Sequence, residues 1–107
     1  METNGRTDYW PIRVFLWFRM IDIKILSYKS PQRFAVRRTL MAAQNELRKT
    51  YPELKIDISE VKELVEMEKY TAVVILPSLV VNEKLVCEGR FPSKQEVRIW
   101  LKNAMEE

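Results

Sequence analysis

The sequence predicts an α/β domain whose elements run β-α-β-α-β-β-α, folded as a mixed four-stranded sheet with helices on both faces. Three observations carry this. Ile21, Ile23 and Ile25, and then Leu54, Ile56 and Ile58, alternate with polar residues at the two-residue period of strands. A long helical run separates them, and two parallel strands require such a crossover. Finally, the apolar runs 78–81 and 85–88 are separated by only a few residues around Asn82-Glu83, which forces an antiparallel hairpin.

Each element has a local cause. The first strand covers residues 21–27, and Tyr28 and Lys29 lead into a loop. Ser30 followed by Pro31 reads as a helix start, with Ser30 as the cap and Pro31 at a position where no backbone hydrogen bond is lost. Val36, Leu40, Ala43 and Leu47 then share one helix face, and Tyr51-Pro52 ends the helix because proline restricts the residue before it. After the second strand, residues 59–62 read equally as strand or helix cap. Residues 63–70 read as a short helix with Leu64, Met67 and Tyr70 inward. Asn82 suits a left-handed turn conformation better than Glu83 does. Gly89 reads as a bend, and Ser93 with Glu96 as a capping box that opens a helix striped by Val97, Trp100, Leu101 and Ala104.

Composition narrows the chemistry. The chain has 107 residues, room for one core, with 47% apolar and 31% charged residues, two glycines and five prolines. Lys and Arg number 18 against 15 Asp and Glu, a net charge of +3 that does not call for nucleic acid. Histidine is absent, which removes His-based triads and His-ligated metals. Cys87 is the single cysteine, so no internal disulfide forms, and one thiolate is too few for a zinc site. No cofactor or metal is expected.

The first nineteen residues read apart from the rest. Residues 9–20 are aromatic and apolar, but Arg13 and Arg19 interrupt them, and a spanning helix needs about 20 uninterrupted apolar residues. Glu2 and Asp8 come where a signal peptide would be basic, and no small-residue cleavage site follows. Neither a membrane segment nor an export signal is expected, and the expected location is cytoplasmic. The stretch reads either as an added edge strand or apolar arm, or as sequence upstream of a true start at Met20. The second reading divides the chain into an extension, 1–19, and a domain, 20–107.

From about residue 20 to residue 105 the chain resembles the thioredoxin-like superfamily, and within it the small, glutaredoxin-sized redox-active disulfide proteins of archaea and bacteria. The matching residues are Leu76-Pro77-Ser78-Leu79-Val80-Val81-Asn82 and the run Glu88-Gly89-Arg90-Phe91-Pro92-Ser93-Lys94-Gln95-Glu96, which is similar to that family's Gly-Arg-Val-x-Ser-Lys-Glu-Glu. The resemblance implies a cis peptide bond between Leu76 and Pro77, beside the loop that carries Ser30. It implies a groove there whose backbone can pair with an extended peptide.

The departure from the family lies where its chemistry resides. Cys-x-x-Cys is replaced by Ser30-Pro31-Gln32-Arg33 with the helix register kept, and neither serine nor arginine can supply the thiolate of disulfide exchange. Cys87 falls in the last strand and reads as a small buried residue. Some glutathione transferases hold a thiolate with a serine at the start of the same helix, but they need a second, helical domain. Ser30 as a nucleophile would lack a histidine base.

The expected function is therefore a redox-inactive binding or scaffold module working through the groove between the Ser30 loop and the Pro77 loop. A thiol-disulfide or glutathione-linked enzyme with a degenerate site is the alternative. Lys29, Arg33 and Arg37 at the helix tip form a candidate anion site, with a solvated helix face as the plainer reading. A protein or peptide partner is expected, a homodimer is a further expectation, and nucleic acid and membrane are not.

Overall fold

The computed structural model describes residues 20–106, so the expectations for residues 1–19 lie outside the described residues. The elements are β1 (Ile21–Leu26), α1 (Ser30–Leu47), β2 (Ile56–Val61), α2 (Leu64–Met67), β3 (Ser78–Val81), β4 (Lys84–Glu88) and α3 (Lys94–Met105). The sheet order is β2-β1-β3-β4. β1 pairs parallel with β2, Ile21 opposite Ile56, and antiparallel with β3, Leu26 opposite Ser78. The architecture is the mixed four-stranded α/β sheet that the order of elements predicts.

Strand alternation sorts side chains onto two faces. Ile21, Ile23, Ile25, Leu79 and Val81 face α1 and α3, where they meet Val36, Leu40, Ala43, Leu47, Val97, Leu101 and Ala104 in the main core. Leu26 and Val80 point the other way and pack with Met67 of α2. Full burial of a leucine or isoleucine side chain contributes about 1.5–3 kcal/mol. This core is the rigid base on which the loops at one sheet end are held.

The hairpin turn has Asn82 at φ 49° and Glu83 at φ 69°, the two left-handed positions of a type I′ turn. Asn82 also ties the turn to the central strand: its Oδ1 accepts from the Asp22 N–H at 2.9 Å, and its own N–H donates to the Asp22 carbonyl at 2.7 Å. On β4, Cys87 pairs with Leu79 but Leu85 with Val80, so Val86 is an extra residue. This bulge lets Val86 and Cys87 both lean on the main core. At α3 the capping box forms in both directions, Ser93 Oγ with the Glu96 N–H and Glu96 Oε1 with the Ser93 N–H.

Several boundaries differ from the sequence reading. Ser30 is not the cap of α1: Lys29 holds that position with no side-chain cap bond, and Ser30 is the first helical residue. Its hydroxyl accepts instead from Arg33. α2 spans only four residues, and Leu64 is exposed while Met67, with Tyr70, packs over Leu26 and Val80. Residues 59–61 are strand, held by pairing with β1 through Leu26 and Val61. Leu54 is buried but precedes β2, and α1 ends at Leu47, before the turn that reaches Tyr51-Pro52.

Candidate functional site

Four connections meet at one end of the sheet. Leu26, Ser78 and Glu88 lie in line across β1, β3 and β4, and the Ser27 N–H donates to the Val61 carbonyl at 3.1 Å. The loop into α1, the loop out of β2, the segment before β3 and the bend after β4 are therefore neighbours. The Leu76–Pro77 peptide bond is cis, and Pro77 is buried. The Gly89 N–H donates to the carbonyls of both Ile75 (3.2 Å) and Pro77 (2.8 Å), and the Ser78 hydroxyl donates to the Ile75 carbonyl. Gly89 sits at φ 71°, and a methyl group there would approach Ile75 Cγ2 to 2.5 Å. Glycine is what allows this bend to close on the Pro77 loop.

Ser27 organises the other side. It is fully buried; its Oγ accepts from the Lys29 N–H at 3.1 Å and donates to Gln32 Oε1. Its carbonyl accepts from Arg33 Nη1 at 3.1 Å. The Arg33 guanidinium completes its set with Ser30 Oγ at 2.9 Å (from Nη2) and Glu60 Oε1 at 3.0 Å (from Nε). Arg33 is thus buried, 8% exposed, at a position where the resemblance would have a cysteine.

Glu60 is the hub. Its Oε2 accepts from Arg37 Nη2 at 3.0 Å, and Lys62 Nζ lies 4.0 Å from its Oε1. The hydrogen bond from Arg37 is the main cause that holds its carboxyl below the ordinary value of 4.5; burial opposes this and the bond from Arg33 reinforces it. Of the three cations read as an anion site, the structure brings Arg33 and Arg37 together on this internal carboxylate, while Lys29 is exposed.

Ser27 and Glu60 were not singled out from the sequence. Glu60 had a signal: it continues the inward stripe Ile56, Ile58, and Ile25 stands opposite it. A carboxylate at an inward position demands a cation. Arg33 had the matching signal, three residues before Val36 on the buried face of α1.

Cys87 is buried on β4, its Sγ donating to the Arg90 carbonyl at 3.4 Å, and burial pushes its thiol above the usual range. β3 stands between β4 and β1, which puts Cys87 about 10 Å across the sheet from Ile25 by ordinary strand spacing. Around the sheet end Tyr28, Phe34, Val73, Ile75 and Phe91 are exposed. Phe34 does not enter the core.

The family described as Thioredoxin domain matches residues 22–102 of the chain. No curated protein matches. Among solved structures, one from work on the thiol resolving mechanism of a yeast mitochondrial 1-Cys peroxiredoxin is 14% identical, with 91% of each chain covered and a TM-score of 0.42. Among the described residues no helix is long and apolar enough to cross a membrane.

Proposed function

The chain belongs to the thioredoxin domain family, and from that premise we propose a redox-inactive member that binds an extended peptide or protein segment between the Ser30 loop and the Pro77 loop. One observation carries the reading: the helix tip that would hold a thiol holds a buried arginine bonded through all three of its guanidinium nitrogens. Arg33 donates to Glu60, the Ser27 carbonyl and Ser30 Oγ, which makes it a structural strut. Ser30 Oγ accepts from that guanidinium, and among the described residues it donates to no base, so it is not activated.

The lone thiol does not take over the work. Thiolate is the reactive form, and Cys87 is buried with its titration pushed upward. What the sheet end offers a partner is shape and apolar surface. The Ile75, Pro77 and Gly89 backbones are pinned together, and Tyr28, Phe34, Val73, Ile75 and Phe91 supply exposed apolar area around them. A rigid, pre-formed edge of this kind lowers the ordering penalty of binding an extended chain.

The test has two arms. Insulin reduction by dithiothreitol, followed by turbidity, should run at the background rate with the protein present. Acceleration that is lost in Cys87→Ser would establish the oxidoreductase reading instead. In the second arm, a mixture of unrelated extended peptides is titrated while amide resonances are followed. Shifts should cluster at residues 28–33 and 73–77, and shifts confined elsewhere would overturn the groove.

A further inference from the structure

α1 carries two stripes. Val36, Leu40, Ala43 and Leu47 form the one buried against the sheet. On the far side of the helix Phe34, Arg38, Met41, Asn45 and Arg48 follow at alternating steps of four and three residues, and all five are exposed. Phe34 is 62% exposed and Met41 43%, and they stand about 10 Å apart along the helix axis.

The charge on this outer stripe has one sign. Glu46 is the single carboxylate of α1, and it is taken up on one flank by Lys94 and Arg98 of α3. Arg37, on the other flank, leans to Glu60 of β2. Among the described residues neither Arg38 nor Arg48 is in an ion pair. These two cations stand about 15 Å apart along the axis, one on either side of Met41.

We propose that this face docks an acidic amphipathic helix of another protein, with apolar side chains on Phe34 and Met41 and carboxylates on Arg38 and Arg48. The spacing favours a helix, because a stripe that repeats every seven residues is the one along which two helices pack side by side. The sign of the free charge makes the partner acidic. A lipid surface fits less well, since Arg38 lies inside the stripe that would have to enter the acyl region. A nucleic acid would leave Met41 without an apolar partner, and a net charge of +3 gives no dense basic field. The inference does not depend on what the groove binds, because Arg38, Met41 and Arg48 lie two to five turns along α1 from Ser30.

Three synthetic helical peptides of about 20 residues test it by titration against the full chain at about 0.05 M salt. One has a leucine stripe flanked by glutamates, the second the same stripe flanked by lysines, and the third the glutamates with glutamine in place of leucine. The first should bind at least about tenfold tighter than either of the others, with amide shifts at residues 34, 38, 41, 45 and 48. R38E/R48E should weaken it at least about tenfold and bind the lysine peptide instead. F34A/M41A should weaken it by about tenfold through lost burial.

No binding of the glutamate peptide at about 1 mM, equal affinity for the glutamate and lysine peptides, or shifts confined to residues 28–33 and 73–77 would each overturn the proposal. The last of these would leave the groove reading standing. A single-stranded DNA of about 20 nucleotides and vesicles of phosphatidylserine with phosphatidylcholine probe the competing surfaces. If either binds tighter than the glutamate peptide and loses that binding in R38E/R48E, the face belongs to that partner and the helix is overturned. All four substituted positions are exposed, and circular dichroism checks folding. If a variant does not fold, the three peptides on the parent chain carry the test.

Discussion

Replacing Glu60 with glutamine removes the charge that Arg33 and Arg37 share while keeping the volume of the side chain. Arg37, 38% exposed at its side chain, can turn to solvent; Arg33, 9% exposed, cannot. Breaking a buried ion pair by removing one partner typically costs about 3–5 kcal/mol. Here Arg33 keeps the Ser27 carbonyl and Ser30 Oγ, and Glu60 is 21% exposed, so the expected loss is near or below the low end, about 2–3 kcal/mol. For a domain of this size that lowers Tm by on the order of 10–20 °C.

Urea unfolding of the parent chain and of Glu60→Gln measures the loss directly. The pH dependence supplies the sign. The folded carboxyl is held below its ordinary 4.5, chiefly by Arg37, so its stabilisation is fully present above 4.5 and is lost as pH falls through the lowered folded value. The difference between parent and variant should therefore be constant at neutral pH and shrink toward zero in acid. Arg33→Met combined with Glu60→Leu should recover only part of the loss, since an apolar pair leaves no buried charge but takes the donor from the Ser27 carbonyl. A Glu60→Gln variant within about 0.5 kcal/mol of the parent at pH 7 would refute the strut that Arg33 is held to be.

Two further predictions concern the turns. Asn82→Ala should cost about 2 kcal/mol in urea unfolding, because it leaves the Asp22 N–H without Asn82 Oδ1 and puts alanine at φ 49°; a loss below about 0.5 kcal/mol would mean that the turn does not depend on that bond. Gly89→Ala meets φ 71° and the 2.5 Å approach to Ile75 Cγ2 together, so the same measurement should show a loss of at least about 1–2 kcal/mol. Its amide resonances should move at Ile75, Leu76 and Ser78, beside the Ile75 and Pro77 carbonyls that accept from Gly89; an unchanged Pro77 loop would contradict that link.

Much of the fold was legible along the chain because each element is set by local periodicity. The Ile21, Ile23, Ile25 alternation, the Val36–Leu47 stripe and the capping box of Ser93 and Glu96 each fall where a short-range rule puts them. The misplaced features share a cause of another kind. Ser30 has the residue type of a cap, but Arg33 takes its hydroxyl, and Lys29 becomes the capping residue by backbone position alone. Leu64 has the residue type of a core position, yet the cluster beneath α2 is closed by Met67 together with Val61, Tyr70, Val74, Leu76 and Leu85.

The candidate site divides the same way. From the sequence alone came the absence of a thiol pair at Ser30 and Arg33, since residue identity decides whether a thiolate can exist. That Arg33 turns inward to Glu60 was decided only in three dimensions. The two residues lie 27 positions apart on α1 and β2, and packing those elements together brings the buried guanidinium onto a carboxylate that Arg37 shares. Periodicity is a property of a few adjacent residues, whereas a buried ion pair is a property of the assembled layers.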